Sequence, residues 1–190
     1  MSRQADSLVV DGQPFRFTGI NVYNANSTGQ CGPNLSSGAA LDDALSAMGP
    51  GVTVIRTWFF QFLATTGGQR DWSAFEHTLA VAASHGVRVV ATLANQWADC
   101  EPASGYKDET WYQSGYTQPD PGGTVSYLDW VSEVASRYAN DPTVLAWQLM
   151  NEAEVKPSNS GGAARTPRRC SRRSRATSRV PSRPLTPTTS

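Results

Sequence analysis

The chain has 190 residues, with 16 Lys and Arg balanced by 16 Asp and Glu, a length that suits one domain. The balance hides an asymmetry: Pro157–Ser190 holds eight Arg and no Lys, Asp or Glu, so residues 1–156 carry about −8 and the tail about +8. Every Trp, Tyr and Phe lies before residue 157, which excludes a packed core from the tail, and no apolar run is long enough to span a membrane.

The N-terminus, MSRQADSLVV, lacks a charged-then-apolar export pattern, so as written the chain reads as cytoplasmic or as missing its leader. LVVDGQPFRFTG reads as a β-hairpin turning at Asp11-Gly12, a pair that tolerates positive φ. GINVYNAN is a short strand that breaks into a polar loop. SGAALDDALSAMGPG carries apolar residues at helical spacing, with Ser37 as a cap candidate and Gly-Pro-Gly as the stop. VTVIRTWFF is β-branched and aromatic, hence a strand. DWSAFEHTLAVAASHG is a helix opened by Asp71 and closed by Gly86, with Phe75, Leu79, Ala82 and Ala83 on one face. VRVVATLANQW is the third strand. TVSYLDWVSEVASRYAND is a helix that buries Tyr127, Trp130, Val131 and Val134 and ends at Asp141-Pro142. TVLAWQLMNE is the fourth strand.

Strand and helix thus alternate, and the later strands are near-continuous apolar runs. That pattern implies an α/β fold with a parallel sheet covered on both faces. An open doubly wound sheet and a β/α barrel both fit; no glycine-rich dinucleotide fingerprint follows the first strand, which weakens the nucleotide-binding version.

In a β/α barrel the active site forms where the strands end. The four strand ends supply Asn21, Tyr23 and Asn24; Arg56, Trp58 and Phe59; Asn95, Gln96, Trp97 and Asp99; Asn151, Glu152 and Glu154. Aromatic faces stack on sugar rings, amides and guanidinium bond hydroxyls, and a carboxyl group can protonate a glycosidic oxygen. Arg56, inside an apolar strand, needs a pairing partner, and a carboxylate at a neighbouring strand end is the expected one. His77 and His85, eight residues apart on one helix, do not make a metal site. No metal, phosphate or nucleotide motif appears, so neither metal nor cofactor is expected.

VIRTWFF, ATLANQWAD and WQLMNEAE resemble the second-, third- and fourth-strand motifs of glycoside hydrolase family 5, over about residues 8–156. The resemblance implies the first half of a (β/α)8 TIM barrel, preceded by the β-hairpin. It also implies a retaining hydrolase of β-1,4-linked polysaccharides, endo-β-1,4-mannanase-like, with Glu152 as general acid/base. Asn151 would bind the sugar 2-hydroxyl and Arg56 would orient the nucleophile carboxylate. Asn21, Tyr23, Trp58, Asn95 and Trp97 complete the implied substrate-binding set. Ala153 departs from the family, where Pro often follows the Glu. In the family the nucleophile comes from the seventh strand, which this chain does not show, and Glu154 cannot replace it from the same strand as Glu152. The truncated chain is therefore expected to be inactive. A β-1,4-endoglucanase and a non-catalytic carbohydrate-binding remnant are the alternatives. The implied partner is a β-mannan or β-glucan, with neither nucleic acid nor membrane, and the implied location is extracellular.

Cys31 and Cys100 follow the first and third strands, on the same barrel face. In an exported enzyme of this kind they would form a disulfide, leaving Cys170 unpaired.

The Arg-, Pro- and Ser-rich segment 157–190 is expected to be disordered. One reading is a basic tail for acidic polymers. The preferred one is an out-of-frame translation, because codons exist for Ala164–Ser174 that, read two bases later, encode an amphipathic helix start.

Overall fold

The protein is described from a computed structural model. It describes residues 2–10, 12–27, 36–98, 100–101, 106–119 and 123–155. The tail from 157, Cys31, Cys170, Asp11 and Asp99, all named above, lie outside them.

Three short strands come first: Ser2–Gln4 (β1), Ser7–Val10 (β2) and Gln13–Pro14 (β3), joined in the order β1-β2-β3 as an antiparallel sheet. The turn between β2 and β3 contains Gly12 at φ +79°, which a residue without Cβ accepts freely. Beyond them lies a four-stranded sheet of Gly19–Asn21 (β4), Val54–Trp58 (β5), Arg88–Thr92 (β8) and Val144–Gln148 (β9), every neighbouring pair parallel. Between β5 and β8 sits a small hairpin, Thr65–Thr66 (β6) and Gln69–Arg70 (β7). The parallel sheet runs β4-β5-β8-β9, in chain order, without the reversal that defines a doubly wound sheet.

The connecting helices are Ser36–Met48 (α1), Ser73–Ser84 (α2), the five-residue Glu109–Gln113 (α3) and Tyr127–Arg137 (α4). Leu41 and Leu45, four apart on α1, are buried together. Because α1 starts at Ser36, Ser37 lies inside its first turn rather than before it. Asp71 does open α2: its Oδ1 accepts from Ser73 N at 3.1 Å and from Ser73 Oγ at 2.5 Å. Gly86, at φ +66°, closes it. Gly86 N donates to Ala83 O and Val87 N to Ala82 O, the paired bonds of a Schellman cap. On α2 the buried residues are Ala74, Phe75, Thr78, Leu79 and Ala82; Ala83, expected on that face, is exposed. Ser126 caps α4, accepting from Asp129 N at 3.1 Å and donating to Asp129 Oδ2 at 2.6 Å.

Leu41, Leu45, Phe75, Leu79, Val131 and Val134 from the helices share one apolar cluster with Ile55, Val89 and Ala91 from the sheet. A clamp holds α2 to α4. Trp72 and Trp130 stack at 5.5 Å, with Arg137 over Trp72 and Arg70 over Trp130. Arg70 in turn forks onto Glu133, with its Nε and NH2 2.8–3.1 Å from the carboxylate.

The two sheet faces differ. Ile55, Thr57, Val89 and Ala91 are fully buried, whereas Arg56, Val90, Ala146 and Gln148, alternating with them, are half-buried. The apolar runs predict cover on both sides; the face opposite the helices is the more open, although Val54, Trp58 and Thr92 on it are buried, and Arg56 and Gln148 put polar groups at its centre. No helix among the described residues is long and apolar enough to cross a membrane.

Candidate active site

Arg56 is the centre of the open face. Strand register puts it beside Asn21 on β4 and Val90 on β8. Its Nε donates to Gln148 Oε1 at 2.6 Å, reaching across β8, and its NH1 donates to Asn21 Oδ1 at 3.1 Å. Its NH2 donates to Asn151 Oδ1 at 2.7 Å. The carboxylate partner expected from the sequence is replaced by three neutral amide oxygens. They occupy three of the five guanidinium donors and carry no charge of their own. Burial pushes the Arg56 pKa down from its ordinary value, and the negative charge of Glu152 opposes that shift. Thr92 Oγ1 steadies the Gln148 oxygen from 2.8 Å.

Two loop segments form the rest. Asn95 and Asn151 lie three residues beyond β8 and β9 and pair as an isolated parallel bridge. Asn151 Nδ2 donates to Asn95 Oδ1 at 3.1 Å, Asn151 N to Ala94 O at 2.8 Å, and Gln96 N to Asn151 O at 3.2 Å. The next residue, Glu152, is exposed and takes φ +49°, a left-handed conformation that costs a side-chain-bearing residue roughly 1–2 kcal/mol. Strain of that kind collects at functional positions. Glu152 Oε2 accepts from the indole Nε1 of Trp97. Trp97 is 38% exposed and meets Tyr106 edge to face at 4.7 Å.

Of the residues singled out in the sequence, Asn21, Arg56, Asn95, Trp97, Asn151 and Glu152 are joined by these contacts. Tyr23 is half exposed and 5.9 Å from Trp58. Trp58 itself is only 8% exposed, lying under Arg56 at 4.6 Å and against Phe60 at 5.0 Å; that places its ring as a wall beneath the guanidinium rather than an open platform. Cys100 is disulfide-bonded; the expected partner, Cys31, lies outside the described residues. Among the described residues no group of His, Cys, Asp and Glu could hold a metal.

Four contributors went unread in the sequence. Gln148 carries the signal that revealed Arg56, a polar residue within an apolar strand. Tyr106, Glu101 and Lys107 sit in the loop after β8, where no period marks them. Beneath that loop Tyr112 Oη donates to Gln96 Oε1 at 2.5 Å, and burial pushes the Tyr112 phenol well above its ordinary pKa.

A row of polar side chains thus lies at the ends of sequential parallel strands, with the Glu152 carboxylate beside it. Solved structures share this fold. The chain superposes on the endo-1,4-β-mannanase of Rhizomucor miehei with a TM-score of 0.60 at 18% identity, over 83% of this chain and 51% of that one. It superposes on the catalytic domain of the major endoglucanase of Xanthomonas campestris pv. campestris with a TM-score of 0.55 at 21% identity, over 90% and 51%. At such identities the likeness establishes the fold alone, an α/β architecture around a parallel sheet.

The sequence relatives are mannan endo-1,4-β-mannosidases. The chain is 26% identical over 178 residues to mannan endo-1,4-β-mannosidase A of Podospora anserina, covering 80% of this chain and 44% of that protein. It is 26% identical to mannan endo-1,4-β-mannosidase 2 of Arabidopsis thaliana, covering 85% and 42%, and 28% identical to mannan endo-1,4-β-mannosidase 1 of Solanum lycopersicum, covering 80% and 43%. The chain therefore spans less than half the length of these relatives. No family profile matches it. The resemblance read from VIRTWFF and WQLMNEAE is borne out at the level of these homologues.

Proposed function

We propose that residues 1–156 are the acid/base half of a retaining β-1,4-mannan hydrolase. The supporting observation is Glu152, held in a left-handed turn after the fourth parallel strand, with Trp97 Nε1 on its carboxylate and Asn151 beside it. In this reading Glu152 protonates the departing glycosidic oxygen and later deprotonates the incoming water. Asn151 and Asn95 bond hydroxyls of the sugar, and Trp97 and Tyr23 offer ring faces to it. Arg56 keeps a positive charge at the strand ends, positioned for a second carboxylate. A retaining hydrolase needs that carboxylate about 5–5.5 Å from the first. Glu101 is taken up by Lys107, and Glu154 shares the strand end of Glu152. Among the described residues neither supplies that second carboxylate, so these residues by themselves would bind glycan and not cleave it. The preference for mannan over β-1,4-glucan follows the names of the sequence relatives, and the matching location would be extracellular.

Mannohexaose and cellohexaose, titrated calorimetrically and assayed for new reducing ends, test this. The expected result is binding of mannohexaose in preference to cellohexaose with no release of reducing ends, and loss of binding in Arg56→Ala. Turnover that survives Glu152→Gln, or no binding of either glycan at millimolar concentration, would overturn the reading.

A further inference from the structure

We propose that the buried Glu101–Lys107 ion pair is a positioning unit for the strand-end site, clamping Asn95 and through it the Asn151–Glu152 turn. The inference deepens the function proposed above and rests on it only for the identity of the ligand.

The pair lies in the loop after β8, outside the residues that face the open site. Its side chains are 7% exposed for Lys107 and 13% for Glu101. Burying two opposite charges costs several kcal/mol per ion unless further hydrogen bonds satisfy both ends. Here both ends are satisfied at one residue. Glu101 Oε1 accepts from Asn95 N at 2.7 Å, and Lys107 Nζ donates to Asn95 O at 2.6 Å. The ammonium is shared with Glu101 Oε2 and lies 5.3 Å from the Trp111 ring. Lys107 is itself locked to the same segment, its N donating to Gln96 O at 3.2 Å and its O accepting from Gln96 Nε2 at 2.7 Å.

Asn95 is thus held on both sides of its backbone before its side chain does anything. That side chain accepts from Asn151 Nδ2, which turns the Asn151 oxygen towards Arg56. Two residues further on, Trp97 bonds the Glu152 carboxylate. A loop pinned only at its ends would leave the Asn95 and Asn151 amides free to flip. An ion pair on the backbone of Asn95 holds its Oδ1 against Asn151 Nδ2 and so leaves the Asn151 oxygen facing the guanidinium. Neither Glu101 nor Lys107 need touch a ligand to do this; both act through Asn95.

The test uses the full 15N-labelled chain and the variants Glu101→Gln, Lys107→Met and the two combined. The readouts are the Asn95 and Asn151 side-chain amide resonances, the Trp97 indole N–H resonance and its hydrogen exchange, and the affinity for mannohexaose. Expected are displaced Asn151 and Trp97 signals, faster exchange at the Trp97 indole, and mannohexaose binding weakened by about tenfold, the loss of about 1.4 kcal/mol of binding free energy. Resonances from α2 and α4 stay in place. The combined variant leaves no unpaired buried charge and decides the matter if a single substitution unfolds the chain. Wild-type Asn151 and Trp97 signals in it overturn the proposal. Unfolding of the combined variant overturns it too, because the pair would then be a stability element. Should the wild-type chain bind no mannohexaose, the functional reading fails alone, and the resonances still decide whether the pair positions the turn.

Discussion

At the scale of single residues, Glu152 sets conformational strain against chemistry. Its φ of +49° suits glycine, and its carboxylate is exposed, so little packing compensates the turn. Glu152→Gly is therefore expected to stabilise the fold by about 1 kcal/mol while removing the proposed acid/base. Urea unfolding at unchanged slope measures it, and a lowered midpoint would show that the Trp97 contact outweighs the strain. Arg56 was legible in the sequence because a guanidinium in an apolar strand demands a partner. The partner's nature was not legible: a carboxylate is the economical guess for a charge, and three amides drawn from β4, β9 and the loop after it become available only when the sheet is assembled. Asn151 and Glu152 could be read from the end of an apolar run. The left-handed turn between strand end and carboxylate leaves no mark in WQLMNEAE, since Asn-Glu-Ala carries no glycine to betray it.

Elements with a period were readable and short ones were not. β5, β8 and β9, five residues each, belong to continuous apolar runs, and α1, α2 and α4, of 11 to 13 residues, are long enough to show a helical face. The hairpin β6–β7, with two residues per strand, and α3, with five residues, are too brief to show alternation or a helical face. They form because side chains fix them locally, as when Asp108 caps α3 by accepting from Trp111 N at 2.9 Å. Asp71 does the same for α2. Its carboxylate is held below the ordinary Asp range first by the Ser73 hydroxyl and then by the Ser73 N–H. Because the folded pKa is the lower one, this stabilisation is present above the unfolded value near pH 4 and is lost as the pH falls through the folded value. Asp71→Ala should cost about 1 kcal/mol at pH 7, and the gap to wild type should narrow below about pH 4. A gap independent of pH would mean that the cap does not depend on the charge.

Across the whole molecule, the cysteine bond is one of the ties on the loops that carry the candidate site. Cys100 is disulfide-bonded, and it sits at φ +63° two residues after Ala98 at φ +62°. This is a contorted path that leads directly into Glu101 and its hold on Asn95. Of the two other cysteines, Cys31 follows the first parallel strand and Cys170 belongs to the Arg-rich tail. We expect Cys31 to be the partner, because the loops after β4 and β8 leave the same end of one parallel sheet. Closing about 70 residues would restrict the unfolded chain by about 4 kcal/mol in chain-entropy terms. Reduction should therefore lower the unfolding midpoint strongly, and Cys31→Ser should lower it equally and abolish the effect of reductant. The same variant should broaden the Trp97 indole resonance, since Cys100 anchors the loop from which Glu101 holds Asn95. Proteolytic mapping without reduction should yield a peptide joining Cys31 to Cys100. A peptide joining Cys100 to Cys170, or a Cys31→Ser protein as stable as the oxidised wild type, would show that the site loop is tied elsewhere.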